Sequence, residues 1–298
     1  MNRSESTRLV FIGDIHAHRF LVPPWRLLGK RLLGQTNLWL RRRHRFNLDL
    51  LAPVLRRAVQ VAPELMLFSG DLTTTALEGE FEDVRATLDS LENPPPMLIV
   101  PGNHDRYTFA AARRRAIERA FPHAVPARFP HVRPLNNAWR LMALDASVPR
   151  LLSSRGRVDQ AQQREAETVI RSLSPEQGLI VLCHYPLMVP DSVPSHWHHR
   201  LADAPALCDM VAASRARVIW MHGHVHTPWH WRPSDSRLSH ITTINAGSPT
   251  LREGPKGRGH GFWQIDLPNH GNGPVTCVRH EPASDGPAGE GWTMHRVP

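Results

Sequence analysis

Five short motifs in this 298-residue chain gather side chains that ligate metals or move protons: Gly13-Asp14-Ile15-His16, Ser69-Gly70-Asp71, Pro101-Gly102-Asn103-His104-Asp105, His184-Tyr185-Pro186 and Gly223-His224-Val225-His226. Each has an ordinary reading when taken alone. Asp14-x-His16 reads as a helix cap beside a surface histidine, and Gly70-Asp71 as a turn. Gly102-Asn103 favours a left-handed turn. His184 reads as a satisfied core histidine, and His224-x-His226 as two exposed strand residues on one face. Their shared context changes the reading, because every motif directly follows a short apolar run.

Those runs are Leu9–Ile12, Leu65–Phe68, Met97–Val100, Leu179–Leu182 and Val218–Met221, with a further one at Leu141–Leu144. Each is too short for an independent helix and is bounded by Gly, Pro or Asp. Continuous apolarity of that length predicts strands buried on both faces of a sheet. In an open α/β sheet, ligands bind beyond the carboxyl ends of the strands. Two Asp, one Asn and four or five His would then converge on one small volume. Neighbouring carboxylates repel and buried imidazoles need partners, and divalent cations resolve both problems. Oxygen and imidazole donors without thiolate suit Mn, Fe or Zn. So many donors exceed one tetrahedral ion and suit two ions sharing a bridging carboxylate, about 3.5–4 Å apart.

The elements between the runs are helical. Leu48, Leu51, Leu55, Ala58 and Ala62 recur at helical spacing, and Asp159 with Gln162 marks a cap for a helix through Leu173. Alternating strands and helices predict an α/β domain. After Ile241 two strand-like runs, Ile241–Ile244 and Gly261–Leu267, flank the Gly247-Ser248-Pro249 turn, which predicts a second, more antiparallel sheet. Residues 281–298 are rich in Pro and Gly without periodicity and predict a flexible tail beyond a single domain spanning 1–280.

Composition excludes several classes. Hydrophobic residues make up 41% and charged residues 21%, which rules out wholesale disorder. No apolar run approaches the roughly 18 residues of a transmembrane helix, and the polar start predicts no secretory signal. Three separated cysteines, Cys183, Cys208 and Cys277, predict a reducing compartment and no disulfide framework. The expected location is therefore cytoplasmic. Net charge is +9, and all but two of the 36 cations are arginine, a bias that base composition alone can produce.

The ordered set Asp-x-His, Gly-Asp, Gly-Asn-His-Asp, His, Gly-His-x-His resembles that of the calcineurin-like metallophosphoesterase superfamily. The likeness spans Leu9 to about Leu267. It implies an α/β fold, a four-layer α/β/β/α sandwich of two mixed sheets, with a dinuclear site at the sheet edges. By motif position Asp14, His16, Asp71 and His226 would hold one metal. Asp71, Asn103, His184 and His224 would hold the other, with Asp71 bridging. His104 would stabilise phosphoryl oxygens or protonate the leaving group, and Asp105 would orient it. The implied reaction is hydrolysis of a phosphodiester, phosphomonoester or pyrophosphate by metal-bridging hydroxide. Two cations lower the pKa of a bridging water and neutralise phosphoryl charge, and an imidazole can protonate a poor leaving group.

Subclass is read from details. Gly70-Asp71-Leu72-Thr73 lacks the Gly-Asp-x-x-Asp-Arg-Gly of the protein phosphatases, and the third motif ends in Asp105 where theirs ends in Glu. Both, with Ile244-Asn245-Ala246-Gly247-Ser248, look like the bacterial branch of the superfamily that resembles class III cyclic-nucleotide phosphodiesterases.

The segment at about 17–47 departs from that pattern. From Ala17 to Leu48 it carries eight cations (Arg19, Arg26, Lys30, Arg31, Arg41, Arg42, Arg43, Arg45) and no acid, together with Trp25, Leu28, Leu32 and Trp39. Two readings stay open: a helical hairpin packed on the body, or an interfacial element that places Trp and Leu in the lipid boundary and arginine on anionic headgroups. The second makes the protein peripheral to the inner membrane. It resembles metallophosphoesterases that cleave the pyrophosphate of UDP-2,3-diacylglucosamine. His196, His198 and His199 with Trp197 predict a surface loop near the site, and Trp229 and Trp231 either a flat substrate wall or core packing. A nuclease, or a non-catalytic nucleic-acid-binding protein, is the reading prompted by the pI near 10.7. No zinc-finger spacing or RNA-recognition aromatic motif accompanies it.

Overall fold

The computed structural model describes residues 6–19, 45–150, 153–194, 200–252, 260–270, 273–283 and 291–297. The apolar runs all become strands: β1 (Ser6–Ile12), β2 (Leu65–Phe68), β3 (Met97–Ile99), β5 (Trp139–Leu144), β6 (Gly178–Cys183) and β7 (Arg217–His222). The others are β4 (His131–Pro134), β8 (Trp229–Trp231), β9 (Ile241–Asn245), β10 (Phe262–Pro268), β11 (Thr276–Pro282) and β12 (Trp292–Val297). Among the described residues they form two six-stranded mixed sheets, ordered β12-β11-β10-β1-β2-β3 and β4-β5-β6-β7-β9-β8. Pairing is parallel through β1-β2-β3 and through β5-β6-β7-β9, and antiparallel elsewhere.

Strands β2 and β6 are buried along their whole length because both faces of the sheet are covered there. Along β1, Leu9 and Phe11 pack between the sheets with Leu141, Ile180, Leu182 and Met221. Val10 and Ile12 point the other way, onto helices α1 (Leu51–Gln60) and α2 (Glu78–Asp89). Met142, Val181 and Trp220 of the second sheet pack on α5 (Gln160–Arg171) and α6 (Ala204–Ala212). The order is helix, sheet, sheet, helix, the four-layer sandwich. Two short helices, α3 (Phe109–Arg113) and α4 (Ala116–Ala120), follow the third motif. The predicted cap is present, with the Asp159 carboxylate accepting the Gln162 N–H at 2.9 Å. Helix α1 is preceded by a 3-10 turn, Leu48–Leu50.

Two expectations are corrected. The late strands do not form a sheet of their own: β9 pairs in parallel with β7, whereas β10 crosses to the other sheet beside β1. Nor is the chain beyond 281 simply loose. β11 runs to Pro282, and β12 pairs with it and brings Trp292 onto Phe262, with ring centroids 5.9 Å apart. The Pro/Gly-rich composition describes the link between these two strands.

No helix among the described residues is long and apolar enough to cross a membrane. Most of the 17–47 insert, with Trp25, Leu28, Leu32, Trp39 and Arg41 to Arg43, lies outside the described residues, as do His196, Trp197, His198 and His199. The ends of the insert are described. Arg19 pairs with Asp83 of α2 at 2.6 Å, and Phe46 is buried against the body.

Candidate metal centre

All five motifs sit at the carboxyl ends of β1, β2, β3, β6 and β7, on one edge of the sandwich. Backbone bonds lock the loops together. Ile15 and His16 donate to the Asp71 carbonyl at 3.0 and 2.9 Å, and Gly223 donates to the His184 carbonyl at 3.1 Å. His16, Asp71, His224 and His226 all have positive φ, at 53°, 50°, 68° and 61°. Left-handed backbone costs a non-glycine residue about 1–2 kcal/mol, so strain is concentrated where the donors converge. Glycines make the room. A Cβ on Gly102 would run into the Asp71 carboxylate, and one on Gly223 into that of Asp14.

The donors form two clusters. In the first, His16 Nε2 and His226 Nε2 are 2.9 Å apart, and Asp14 Oδ2 lies 3.1 Å from His226 Nε2 and 4.0 Å from His16 Nε2. In the second, His184 Nε2 lies 3.1 Å from both Asn103 Oδ1 and His224 Nδ1. Asp71 Oδ2 stands between them, 3.4 Å from His184 Nε2 and 3.8 Å from His16 Nε2. Among the described residues, Asp14 with His16 and His226, and Asp71 with His184 and His224, are trios whose donor atoms lie within 4.8 Å of one another. His104 joins His16 and Asp71 in a third such trio and is only half-buried, open to a substrate. Nitrogen and carboxylate lone pairs aimed at shared points, with no sulfur, fit first-row divalent cations.

Electrostatics agree. Burial works to raise the Asp71 carboxyl, but the imidazoles of His184, His104 and His16 outweigh it and hold it well below the ordinary range. Burial likewise works against a charged His184, yet Asp71 and Asp14 push it up to about 9. A cation bound there would compete with that proton.

Supporting groups escaped the sequence reading. The Ser69 hydroxyl donates to Asp14 Oδ1 at 3.1 Å, and the Ser69 carbonyl accepts from His184 Nδ1 at 2.8 Å, which leaves Nε2 facing the cluster. The Tyr185 ring packs 4.5 Å from that of His224, and its hydroxyl donates to the Ser154 carbonyl. A serine before Gly-Asp and a tyrosine after His184 carry no signal of such roles in their type or spacing.

Asp105 is fully buried and held by its own loop and the neighbouring one. Its carboxylate accepts the Gly102 N–H at 2.9 Å, and the Thr73 N–H and hydroxyl at 3.0 and 3.1 Å. The His104 ring instead places Nδ1 2.6 Å from the Thr74 carbonyl and stacks on Tyr107. Asp105 thus ties the Gly102 backbone to that of Thr73. Burial, then the charge on Asp71, push its pKa up to about 7. Trp229 belongs to the core: it is buried, donates to Thr243 Oγ1, and lies 5.0 Å from the His222 ring.

The chain belongs to the calcineurin-like phosphoesterase family, whose model matches residues 7–228. It is 26% identical over 178 residues to a probable cyclic nucleotide phosphodiesterase of Synechococcus, covering 59% of this chain and 62% of that relative's length. A dimetal phosphatase from Danio rerio shares the fold at a TM-score of 0.62 and 14% identity, over 92% of this chain and 95% of that one. So does a purple acid phosphatase from yellow lupin, at 0.59 and 13%, over 98% and 53%. The family and the donor clusters support divalent metal binding.

Proposed function

We propose that this chain is a dinuclear phosphodiesterase acting on cyclic nucleotides or similar diesters. The observation that carries the reading is Asp71 Oδ2, set within 4 Å of a histidine from each of two donor clusters. Asp14, His16, Asp71 and His226 would hold one ion, and Asp71, Asn103, His184 and His224 the other. When bound, the cations supply a hydrolytic nucleophile at neutral pH and offset phosphoryl charge. Mn, Fe and Zn all suit the donors.

The residues around that chemistry have separate tasks. The Asn103 side chain adds an oxygen donor without adding negative charge, so the site keeps its pull on phosphate. His104, held through Nδ1 by Thr74, presents Nε2 as the proton donor to the departing oxygen. Asp105 keeps the loop in shape. The choice of a diester is supported by the Leu72 and Asp105 motif details and by the name of the Synechococcus relative.

The test is a hydrolysis panel with Mn-loaded protein: cyclic AMP, an aryl phosphodiester, an aryl phosphomonoester, a UDP-acylsugar and single-stranded DNA. Highest turnover on the two small diesters is expected. Preference for the monoester, the UDP-acylsugar or the DNA would overturn the small-diester reading and leave the hydrolase class. We also propose peripheral contact of residues 17–47 with anionic membrane, supported by eight cations and no acid between Ala17 and Leu48.

A further inference from the structure

We propose that Phe46, on the returning end of the 17–47 insert, is a positioning residue for the cation site formed by Asp14, His16 and His226. The inference rests on the metal-dependent reading above and adds a residue that belongs to none of the five motifs. The Phe46 ring is 4% exposed. Its centroid lies 4.7 Å from that of His16 at a 49° tilt and 5.4 Å from that of His226 edge-on at 89°, both within the range of favourable aromatic pairs. These are the two rings whose Nε2 atoms face each other at 2.9 Å. One apolar ring thus packs against both imidazoles and restricts their rotation.

Phe46 is itself fixed, through a circuit that returns to the same motif. It bridges to buried Leu251, flanked by Arg252 N–H to the Arg45 carbonyl and Asn47 N–H to the Thr250 carbonyl, both at 2.8 Å. The Thr250 hydroxyl donates to the Ile15 carbonyl at 2.6 Å, between Asp14 and His16. Asn47 then caps the 3-10 turn that leads into α1. The other cluster has its own aromatic support in Tyr185, whose ring lies 5.0 Å from that of His184 and 4.5 Å from that of His224. Because the two supports come from different parts of the chain, the sites can be perturbed separately.

The experiment is a Mn2+ titration of metal-free full-length protein, with free Mn2+ read by electron paramagnetic resonance. Wild type should show two sites. Phe46→Ala should weaken one of them about 10–100-fold, the usual effect of removing a support behind the ligands, and leave the other unchanged. Phe46→Leu, which keeps apolar bulk without the ring, should weaken the same site and melt as wild type does without metal. In a His226→Asn background, Phe46→Ala should add less than it does alone, because only the His16 contact is left to lose; in a His184→Asn background its full effect should persist. Two unchanged sites in both Phe46 variants would overturn the proposal and leave the metal-dependent reading intact. Wild-type protein that binds no Mn2+ would overturn both.

Discussion

Arg106 Nη1 lies 2.7 Å from Asp145 Oδ2, and this pair joins the Asn103–His104 loop of the first sheet to the end of β5 in the second. The Ser147 hydroxyl reinforces the tie by donating to the Pro101 carbonyl at 2.6 Å, and Arg106 also reaches Glu118 at 2.7 Å. Arg106→Met would leave Asp145 buried without its cation. Breaking a buried pair costs about 3–5 kcal/mol, and the lower end is expected because Arg106 keeps 21% of its side chain exposed. Urea unfolding measures the loss, and adding Asp145→Asn should recover part of it. Full additivity of the two changes would mean the pair is not coupled.

His104→Ala should keep its metal and its fold and lose roughly 10²–10⁴ in turnover, the worth of a positioned acid. The loss should be smaller for a nitrophenolate leaving group, which needs little protonation. Equal losses for nitrophenolate and alkoxide would remove the acid role. Asp105→Asn should cost less than His104→Ala, because the amide oxygen can still accept the Gly102 or Thr73 N–H.

The metal-free protein should lose thermal stability as pH rises from about 6.5 to 9. His184 is raised from its ordinary 6.5 to about 9, so its contribution is complete below 6.5 and gone above 9. Asp105, raised to about 7, changes stability in the same direction between its ordinary 3.8 and 7, since its neutral form is the one the fold prefers. Asp71, held low, loses its contribution only in strong acid. Mn2+ must displace the His184 proton, so its affinity should climb over the same window in which the metal-free protein weakens. Scanning calorimetry with and without Mn2+ reads both trends, and parallel pH curves would refute the displacement.

The strands and ligand motifs were legible because burial on both faces and placement at strand ends leave marks in residue type. Other features leave none. His104 is oriented by the backbone carbonyl of Thr74, which any residue could offer. Phe46 reaches His16 only because the chain pairs it with Leu251, far along the sequence. Helix α2 was missed because its polar residues dilute the apolar stripe of Phe81, Val84 and Leu88, and β12 because its side chains are mostly exposed. The late strands read correctly as strands, but nothing local says that β9 and β10 part for different sheets.

Neutralising Arg41, Arg42 and Arg43 should abolish sedimentation with anionic vesicles at low salt and leave turnover of a small soluble diester unchanged. Each arginine near such a surface contributes about 1 kcal/mol, screened by salt. Wild-type protein that ignores the vesicles would return the insert to a packing role, consistent with Arg19 on Asp83 and Phe46 in the body.

The most direct test of the shared carboxylate is elemental analysis of Asp71→Ala after reconstitution with Mn2+ and dialysis. Wild type should retain about two ions per chain. The variant should lose occupancy of both, because Asp71 Oδ2 faces His16 on one side and His184 on the other. A variant that keeps its full metal content would contradict the account.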